Sequence, residues 1–431
     1  LRVFRSDSPG YRDNTGGVNN SQNGTDWIPG LLGVELSGIA VERVRRKLHE
    51  CSLFEKSNEE NPTMGNTGIE LVRCCKWPVS TGGLMGLVAV VVLGFPAVPQ
   101  EPQAAGQEVQ VASASVQTLD AFTQNKRLGR GVNIIGYDPL WRDRSRARFR
   151  PEYFRMIREA GFQHVRINLH PFRDNPRPSE GGAGLRDEYL ATLDWAVDHA
   201  LAAGLMVVLD FHEFQAMGKD PEGLRPRYLA CWEVISRRQQ HRPPEVLFEL
   251  LNEPNSALTP ERWNQLLREA LAVVRKTNPT RTVIVGPGQW NNIAALDRLD
   301  LPEDPNLIVT IHYYSPFEFT HQGAAFAGRA DKVGIRWGSD RDRQAVIADF
   351  DRAQAWAEKN RRPIYLGEFG VYDRAPQEDR VAWLNFVTRE AEKRGWSWAY
   401  WQFDGDFILY DIKADRWVEH ILRAIIPPTE K

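Results

Sequence analysis

The sequence predicts an α/β protein of the (β/α)8, or TIM-barrel, class: one domain over residues 128–431 behind a disordered or targeting N-terminal segment. Three features point there. Eight short apolar or β-branched runs alternate with longer amphipathic segments from Arg130 onward. Strands that are apolar on both faces and separated by helices make a parallel sheet, and eight such units in about 300 residues suit a closed barrel. Several amphipathic segments stop at a glycine shortly before the next run, at Gly161, Gly204 and Gly395, the expected helix stop. An open doubly wound sheet is the alternative, but no glycine-rich phosphate turn follows the first run.

Taken in order, the strand runs are GVNIIG from Gly131, HVRINL from His164, LMVVLDF from Leu205, VLFELLN from Val246, TVIVG from Thr282, LIVTIHY from Leu307, PIYLGEF from Pro363 and WSWAYW from Trp396. Helical patterns lie between them, beginning with YFRMIREAG from Tyr153 and EYLATLDWAVDHALAAG from Glu188. Thr259-Pro260-Glu261 opens a third with a capping residue followed by proline at the first helical position. RQAVIADFDRAQAWAEKN from Arg343 and DRVAWLNFVTREAEKRG from Asp379 supply two more.

The N-terminal part reads differently. Residues 1–63 contain no Met and mix Gly, Asn, Ser and charges without a sustained period, as in GYRDNTGGVNNSQNGTD from Gly10. Low apolar density of this kind cannot offset chain entropy, so disorder, or upstream sequence foreign to the native protein, is expected. Met64 is the first candidate start; Arg73 and Lys76 then precede the apolar run Leu84–Phe95, which is followed by Pro96, Pro99, Pro102 and Ala104-Ala105. That order is the layout of a secretory signal peptide over residues 64–105. The run is short for a membrane span, although an uncleaved anchor is the alternative. Residues 106–127 read as a linker or lead-in. Three of the 4 cysteines (Cys51, Cys74, Cys75) precede the barrel and leave Cys231 alone. An exported protein with no disulfide fits a secreted or periplasmic bacterial location.

Composition removes other classes. With 54 Lys+Arg against 56 Asp+Glu the formal charge is -2, which gives no footing for nucleic acid or, once the signal is cleaved, a membrane surface. No C-x-x-C pair is present, so neither a structural zinc site nor a disulfide framework is expected. No cofactor is implied, and a monomer is expected.

In a barrel the chemistry projects from the C-terminal ends of the strands. The second run carries Arg166 and Asn168 and ends at His170; the third ends Asp210-Phe211-His212-Glu213. The fourth ends Asn252-Glu253-Pro254, the sixth His312-Tyr313-Tyr314, the seventh Glu368-Phe369-Gly370 and the eighth at Trp401. Polar groups at so many strand ends are costly unless hydrogen-bonded together, which places them around one pocket. Glu253 and Glu368, from strands on opposite sides of the barrel axis, form the pair that glycosidic cleavage requires: an acid to protonate the leaving oxygen and a carboxylate to attack or to activate water. His212-Glu213 is followed by Ala216 and makes no H-E-x-x-H zinc motif. His170, Asp210 and Glu213 read as supports for the rim.

These residues carry a resemblance. FELLNEPNS from Phe248, TIHYYSPFEFTHQG from Thr310, YLGEFG from Tyr365 and YWQFDG from Tyr400 resemble glycoside hydrolase family 5, of retaining endoglucanases, from about Leu128 to Trp417. By that resemblance Glu253 is the acid/base and Glu368 the nucleophile, with Arg166, His212, Asn252, His312 and Tyr314 in support and Trp401 beneath the sugar. It implies endo-acting hydrolysis of a β-1,4-glucan such as cellulose or carboxymethylcellulose, with transglycosylation as a side activity. Mannan, xyloglucan and mixed-linkage glucan share the same catalytic set. A non-catalytic polysaccharide-binding barrel is a remoter alternative, and predicts the loss of a carboxylate or of its supporting Arg and Tyr.

The 14 Trp divide accordingly. Trp195, Trp263, Trp356 and Trp383 fall on apolar helix faces and read as core. Trp141, Trp290 and Trp337 fall in loops after strands, where a pyranose ring could stack on them. Tyr137 and Gln322 are further candidates for the substrate cleft.

Overall fold

The computed structural model describes residues 119–176 and 182–428. The expectations for residues 1–63 and 64–105, and for the lead-in as far as residue 118, lie outside them. Among the described residues no helix is long and apolar enough to cross a membrane.

Eight parallel strands close into a barrel in chain order: β1 (Arg130–Ile134), β2 (His164–Leu169), β3 (Met206–Phe211), β4 (Val246–Glu249), β5 (Val283–Val285), β6 (Leu307–Tyr313), β7 (Ile364–Phe369) and β8 (Ser397–Tyr400). Closure is made by β1 against β8, with Gly131 opposite Ala399. Every residue of β2, β3, β6 and β7 is buried, the reason these runs are apolar without alternation. Inward-facing Met206, Val208, Leu247, Ile284, Ile308, Tyr365 and Ala399 fill the lower barrel. Their outward neighbours, such as Val207, Leu209, Phe248 and Val309, pack against the helices.

The segment just ahead of β1 belongs to this barrel. Asp120 caps a helix, Ala121–Leu128, whose Ala121 and Leu128 pack into the lower interior cluster. Gln124 and Asn125 donate to the carbonyls of Pro244, just before β4, and of Ile364, the first residue of β7. The domain boundary drawn at residue 128 therefore moves N-terminal, because this helix plugs the barrel floor. Gly131 admits the His164 ring, where a Cβ would come within 2.1 Å of it. That ring bridges the Leu128 carbonyl (2.7 Å) and the Tyr365 hydroxyl (3.0 Å).

The helices Glu152–Glu159, Asp187–Ala202, Pro260–Arg275, Asp340–Asn360 and Gln377–Lys393 occupy the predicted segments. Gly161, Gly204 and Gly395 have φ of 103°, 76° and 73°, the left-handed region that ends helices. One crossover differs from the expected pattern: β5 returns to β6 through a 3-10 segment, Ile293–Arg298, with no long helix. Pro302 and Pro305 and the left-handed residues after β5 leave no uninterrupted stretch for one.

Candidate active site

The C-terminal ends of the strands open into a cleft of about 850 Å³ that contains His212, Asn252, Glu253, His312, Tyr314, Glu368 and Trp401 in its walls. Arg166 lies directly beneath, fully buried on β2. Its Nε and Nη2 donate to the two oxygens of Glu249 at 2.7 and 2.8 Å. Nη1 donates to Asn133 Oδ1 at 2.8 Å and to Glu368 Oε1 at 2.7 Å. Nη2 also reaches Asn252 Oδ1 at 2.8 Å and lies 3.1 Å from Asp210 Oδ2. A guanidinium is the one side chain that can serve so many acceptors from one plane.

Glu253 follows β4 in an Asn-Glu-Pro turn and holds a φ of 44°, a backbone state that costs a non-glycine residue about 1–3 kcal/mol and that concentrates at functional sites. His312 Nδ1 is 2.8 Å from Glu253 Oε1 and 3.6 Å from Glu368 Oε2. The register of β6 against β7 shifts at His312, which pairs with Glu368 and brings the two side chains to one rim. The Tyr314 hydroxyl donates to Glu368 Oε2 at 3.1 Å. One oxygen of each glutamate and a nitrogen of His312 fall within 4.8 Å of one another, the one such cluster with a metal-ligand set among the described residues. The hydrogen bonds from Arg166, His312 and Tyr314 account for this grouping.

Burial raises both carboxyls above the ordinary range, Glu253 to about 8 and Glu368 to about 7. His312 and Arg166 pull Glu368 back down, and Arg166 opposes the rise at Glu253. The result is an acid that keeps its proton beside a carboxylate that yields it more easily, the division of labour expected of unlike environments.

The remaining partners set orientation. Asn252 accepts from Arg166 through its Oδ1, so its amide N–H groups are what it can offer the cleft. Asp210 Oδ2 holds His212 Nδ1 at 2.5 Å, turning Nε2 toward the opening. Trp401 stacks on the His212 ring, 8° from parallel with centroids 5.4 Å apart. Glu213 accepts from the backbone N–H groups of Phe172 (2.6 Å) and Arg173 (2.9 Å). His170 packs between Tyr137 and His212.

The aromatic candidates separate. Trp290 is 51% exposed and Tyr137 52% exposed, and both line the cleft. Trp290 sits in a run of left-handed residues, Gln289, Trp290 and Asn291, with φ of 57°, 59° and 55°, which turns the chain back across the rim. Trp141, Trp337 and Gln322 do not line it, and their expected place in the cleft is corrected. Trp141 is 1% exposed, packs against the tilted ring of Tyr189 and donates its Nε1–H to the Ile135 carbonyl. Trp337 is 4% exposed between Phe319 and Phe386. Gln322 is buried and clamps the loop after β6 by exchanging hydrogen bonds with both backbone groups of Ile335. Loop position alone does not tell an outward ring from one that anchors the loop beneath it.

Sequence reasoning passed over Glu249 and Asn133, the polar residues that complete the shell of Arg166, and over the rim residues Phe326, Asp404 and Phe407. The first two had a signal. Each is a polar side chain that interrupts an otherwise apolar run of the sequence, a placement that demands a buried partner.

The sequence pattern described as "Cellulase (glycosyl hydrolase family 5)" matches residues 126–406. Endoglucanase H of Acetivibrio thermocellus is 31% identical over 73% of this chain; the chain spans 35% of that relative's length. Endoglucanase C of the same organism is 26% identical over 65% of this chain and 93% of its own. The solved structure of Thermotoga maritima Cel5A in complex with cellobiose is 41% identical, with a TM-score of 0.67, over 71% of this chain and 100% of that one. The same enzyme with mannotriose gives the same figures of 41% and 0.67. On the extent of the family match and on a solved relative aligned over its whole length, this chain belongs to the cellulase family, glycosyl hydrolase family 5.

Proposed function

We propose that the protein is an endo-acting β-1,4-glucanase that works by double displacement. The observation that carries this reading is the close approach of Glu253 and Glu368, with oxygens within 4.8 Å. Retaining enzymes hold their carboxyls about 5–5.5 Å apart, whereas inverting ones leave about 6.5–9.5 Å for a water.

In the first step a Glu368 oxygen attacks the anomeric carbon of the sugar above Trp401. The bond from that carbon to the leaving oxygen breaks, and Glu253 gives that oxygen its proton. Arg166 and Tyr314 hold Glu368 so that its free lone pair faces the carbon. Once Glu368 is esterified its negative charge is gone, and Glu253, now ionised, takes a proton from water as the water oxygen attacks the same carbon and releases Glu368. Interception by a sugar hydroxyl at this stage gives transglycosylation. Asn252 meets the 2-hydroxyl and His212 another hydroxyl of the same sugar, and hydrogen bonds aimed where charge develops strengthen in the transition state.

Trp290 and Tyr137 extend the apolar floor beyond the cleaved sugar, which suits a chain bound across several rings. A mannan-acting reading has one specific support, the mannotriose complex of the Thermotoga maritima relative. A non-catalytic binding barrel has none, because both carboxylates and their Arg and Tyr partners are in place. Export as a monomer through the Leu84–Phe95 run completes the proposal, supported by the order of basic, apolar and small residues there. The test of substrate is a panel of carboxymethylcellulose, mixed-linkage glucan, xyloglucan and mannan with product analysis. Internal cleavage of the first with a rapid fall in viscosity is expected; release of product from mannan alone would replace the glucan assignment.

A further inference from the structure

Glu249 is the last residue of β4, fully buried, and does not line the cleft. Its two oxygens take the Nε and one Nη2 hydrogen of Arg166 at 2.7 and 2.8 Å, a parallel fork. That fork fixes the rotation of the guanidinium plane. With Nε and the near side of Nη2 occupied, the outer donors point to Glu368 and Asn133 from Nη1 and to Asn252 from Nη2. Arg166 is the only cation in this set, and Glu249, Asp210 and Glu368 each lie in salt-bridge contact with it. A carboxylate that never meets substrate is an expensive thing to bury unless its charge and geometry are used.

We propose that Glu249 is a positioning residue: through its fork on Arg166 it aims the guanidinium at Glu368 and Asn252 and offsets the guanidinium charge felt by the two reacting carboxyls. Both parts of the role matter for double displacement. An Arg166 free of Glu249 would keep only Asp210 as a counter-charge outside the reacting pair and would present more of its positive charge to Glu368 from 2.7 Å, leaving the nucleophile ionised but less reactive. The same charge would draw the proton from Glu253 sooner as pH rises.

The titratable groups facing the reacting pair come from the strands and the loops above them; Tyr137 after β1 and Tyr365 on β7 are held protonated, and His212 after β3 is held neutral, all mainly by burial. Arg166 rises from β2, Asp210 from β3, Glu249 from β4, His312 from β6 and Tyr314 from the loop after it. His312 is held toward its neutral form, mainly by burial. Tyr314 is held toward its protonated form, again mainly by burial. Removing the Glu249 charge therefore leaves Asp210 alone to oppose Arg166, and the balance of charge near the pair becomes more positive. Both carboxyls should then titrate lower.

This inference rests on the glycosidase reading, so the experiment begins with the wild-type chain, whose turnover of a soluble β-glucan gives a pH profile of kcat/KM. No turnover of any β-glycan would sink the reading itself, with no bearing on Glu249. Given turnover, Glu249→Gln removes the charge and Glu249→Asp keeps it while shortening the arm. The expected result for Glu249→Gln is a displacement of both limbs to lower pH by half a unit or more, with kcat down about 10- to 100-fold. Glu249→Asp should leave the limbs in place and lose rate through geometry alone. Limbs unchanged in a folded Glu249→Gln, or displaced in Glu249→Asp, would overturn the proposal. Should Glu249→Gln fail to fold, Glu249→Asp still decides the positioning part, because an undiminished kcat with the fork on Arg166 shortened would overturn it.

Discussion

An oxygen of Glu253 lies within 4.8 Å of an oxygen of Glu368, and His312 Nδ1 stands between them, 2.8 Å from the first and 3.6 Å from the second. Two carboxylates this close cannot both ionise without repulsion, so the pair holds a proton into the neutral range. That single relationship governs the behaviour expected on mutation, on changing pH and on heating.

Substituting either glutamate should abolish hydrolysis while leaving the barrel folded. Glu253→Gln and Glu368→Gln are each expected to lower kcat/KM on carboxymethylcellulose by roughly 10³-fold or more, with unchanged circular dichroism. The two variants should part on activated substrates. An aryl glycoside whose leaving group needs no proton should recover a large share of its glycosylation rate with Glu253→Gln and none with Glu368→Gln. A near-normal rate for either variant on polysaccharide removes that residue from the mechanism.

The pH dependence follows from burial of the pair. Glu368 must be ionised and Glu253 protonated, and both are raised above 4.5, to about 7 and about 8. The profile of kcat/KM should be a bell whose limbs both lie above the usual carboxylate range. The limbs belong to the coupled pair, and Glu253→Gln should erase the alkaline one. An alkaline limb that survives that change would assign it elsewhere.

On the acid limb of that bell, stability should fall while activity rises. A carboxyl with a higher pKa in the folded than in the unfolded chain binds an extra proton when folded, so its stabilising contribution is present at low pH and is lost as pH rises from about 4.5 toward about 8. Glu253→Gln carries no such loss. Thermal unfolding should show this variant gaining on wild type as pH increases, by about 1 kcal/mol or more at the alkaline end. A melting difference independent of pH would contradict the raised titration.

The two kinds of tryptophan should be separable by the same pair of assays. Trp290→Ala removes an exposed cleft ring and should raise KM for polysaccharide by about 5- to 10-fold while changing stability by less than about 0.5 kcal/mol. Trp141→Ala empties a buried site and breaks its bond to Ile135, costing about 3–5 kcal/mol of stability. Unaltered KM in the first, or an unaltered melting point in the second, would reverse the assignment.

Much of this was legible in the order of residues. Apolar runs at barrel spacing located the strands, and the polar groups that interrupt them at their C-terminal ends located the cleft, because a buried charge must have a partner. The same rule applies to Glu249 and Asn133, which lie within the apolar runs and are resolved only when β1 to β4 are assembled in order around the barrel. Trp141, Trp337 and Gln322 show the converse. Their loops follow strands as expected, but whether a loop ring faces a sugar or the core depends on a turn of the chain that local pattern does not encode. The helix Ala121–Leu128 was hidden for a similar reason: two of its apolar contacts, Ala121 and Leu128, are made with the barrel interior, far along the sequence.

The most direct test of the mechanism is the anomeric configuration of the first product. Proton NMR of a soluble β-1,4-glucan oligosaccharide, followed during the opening minutes of hydrolysis before mutarotation, reads it without labels. The Glu253–Glu368 approach predicts that the new reducing end appears as the β-anomer and that the α-signal grows only later. An α-anomer appearing first would mean single inversion by water, and would contradict an attack by Glu368 on the sugar.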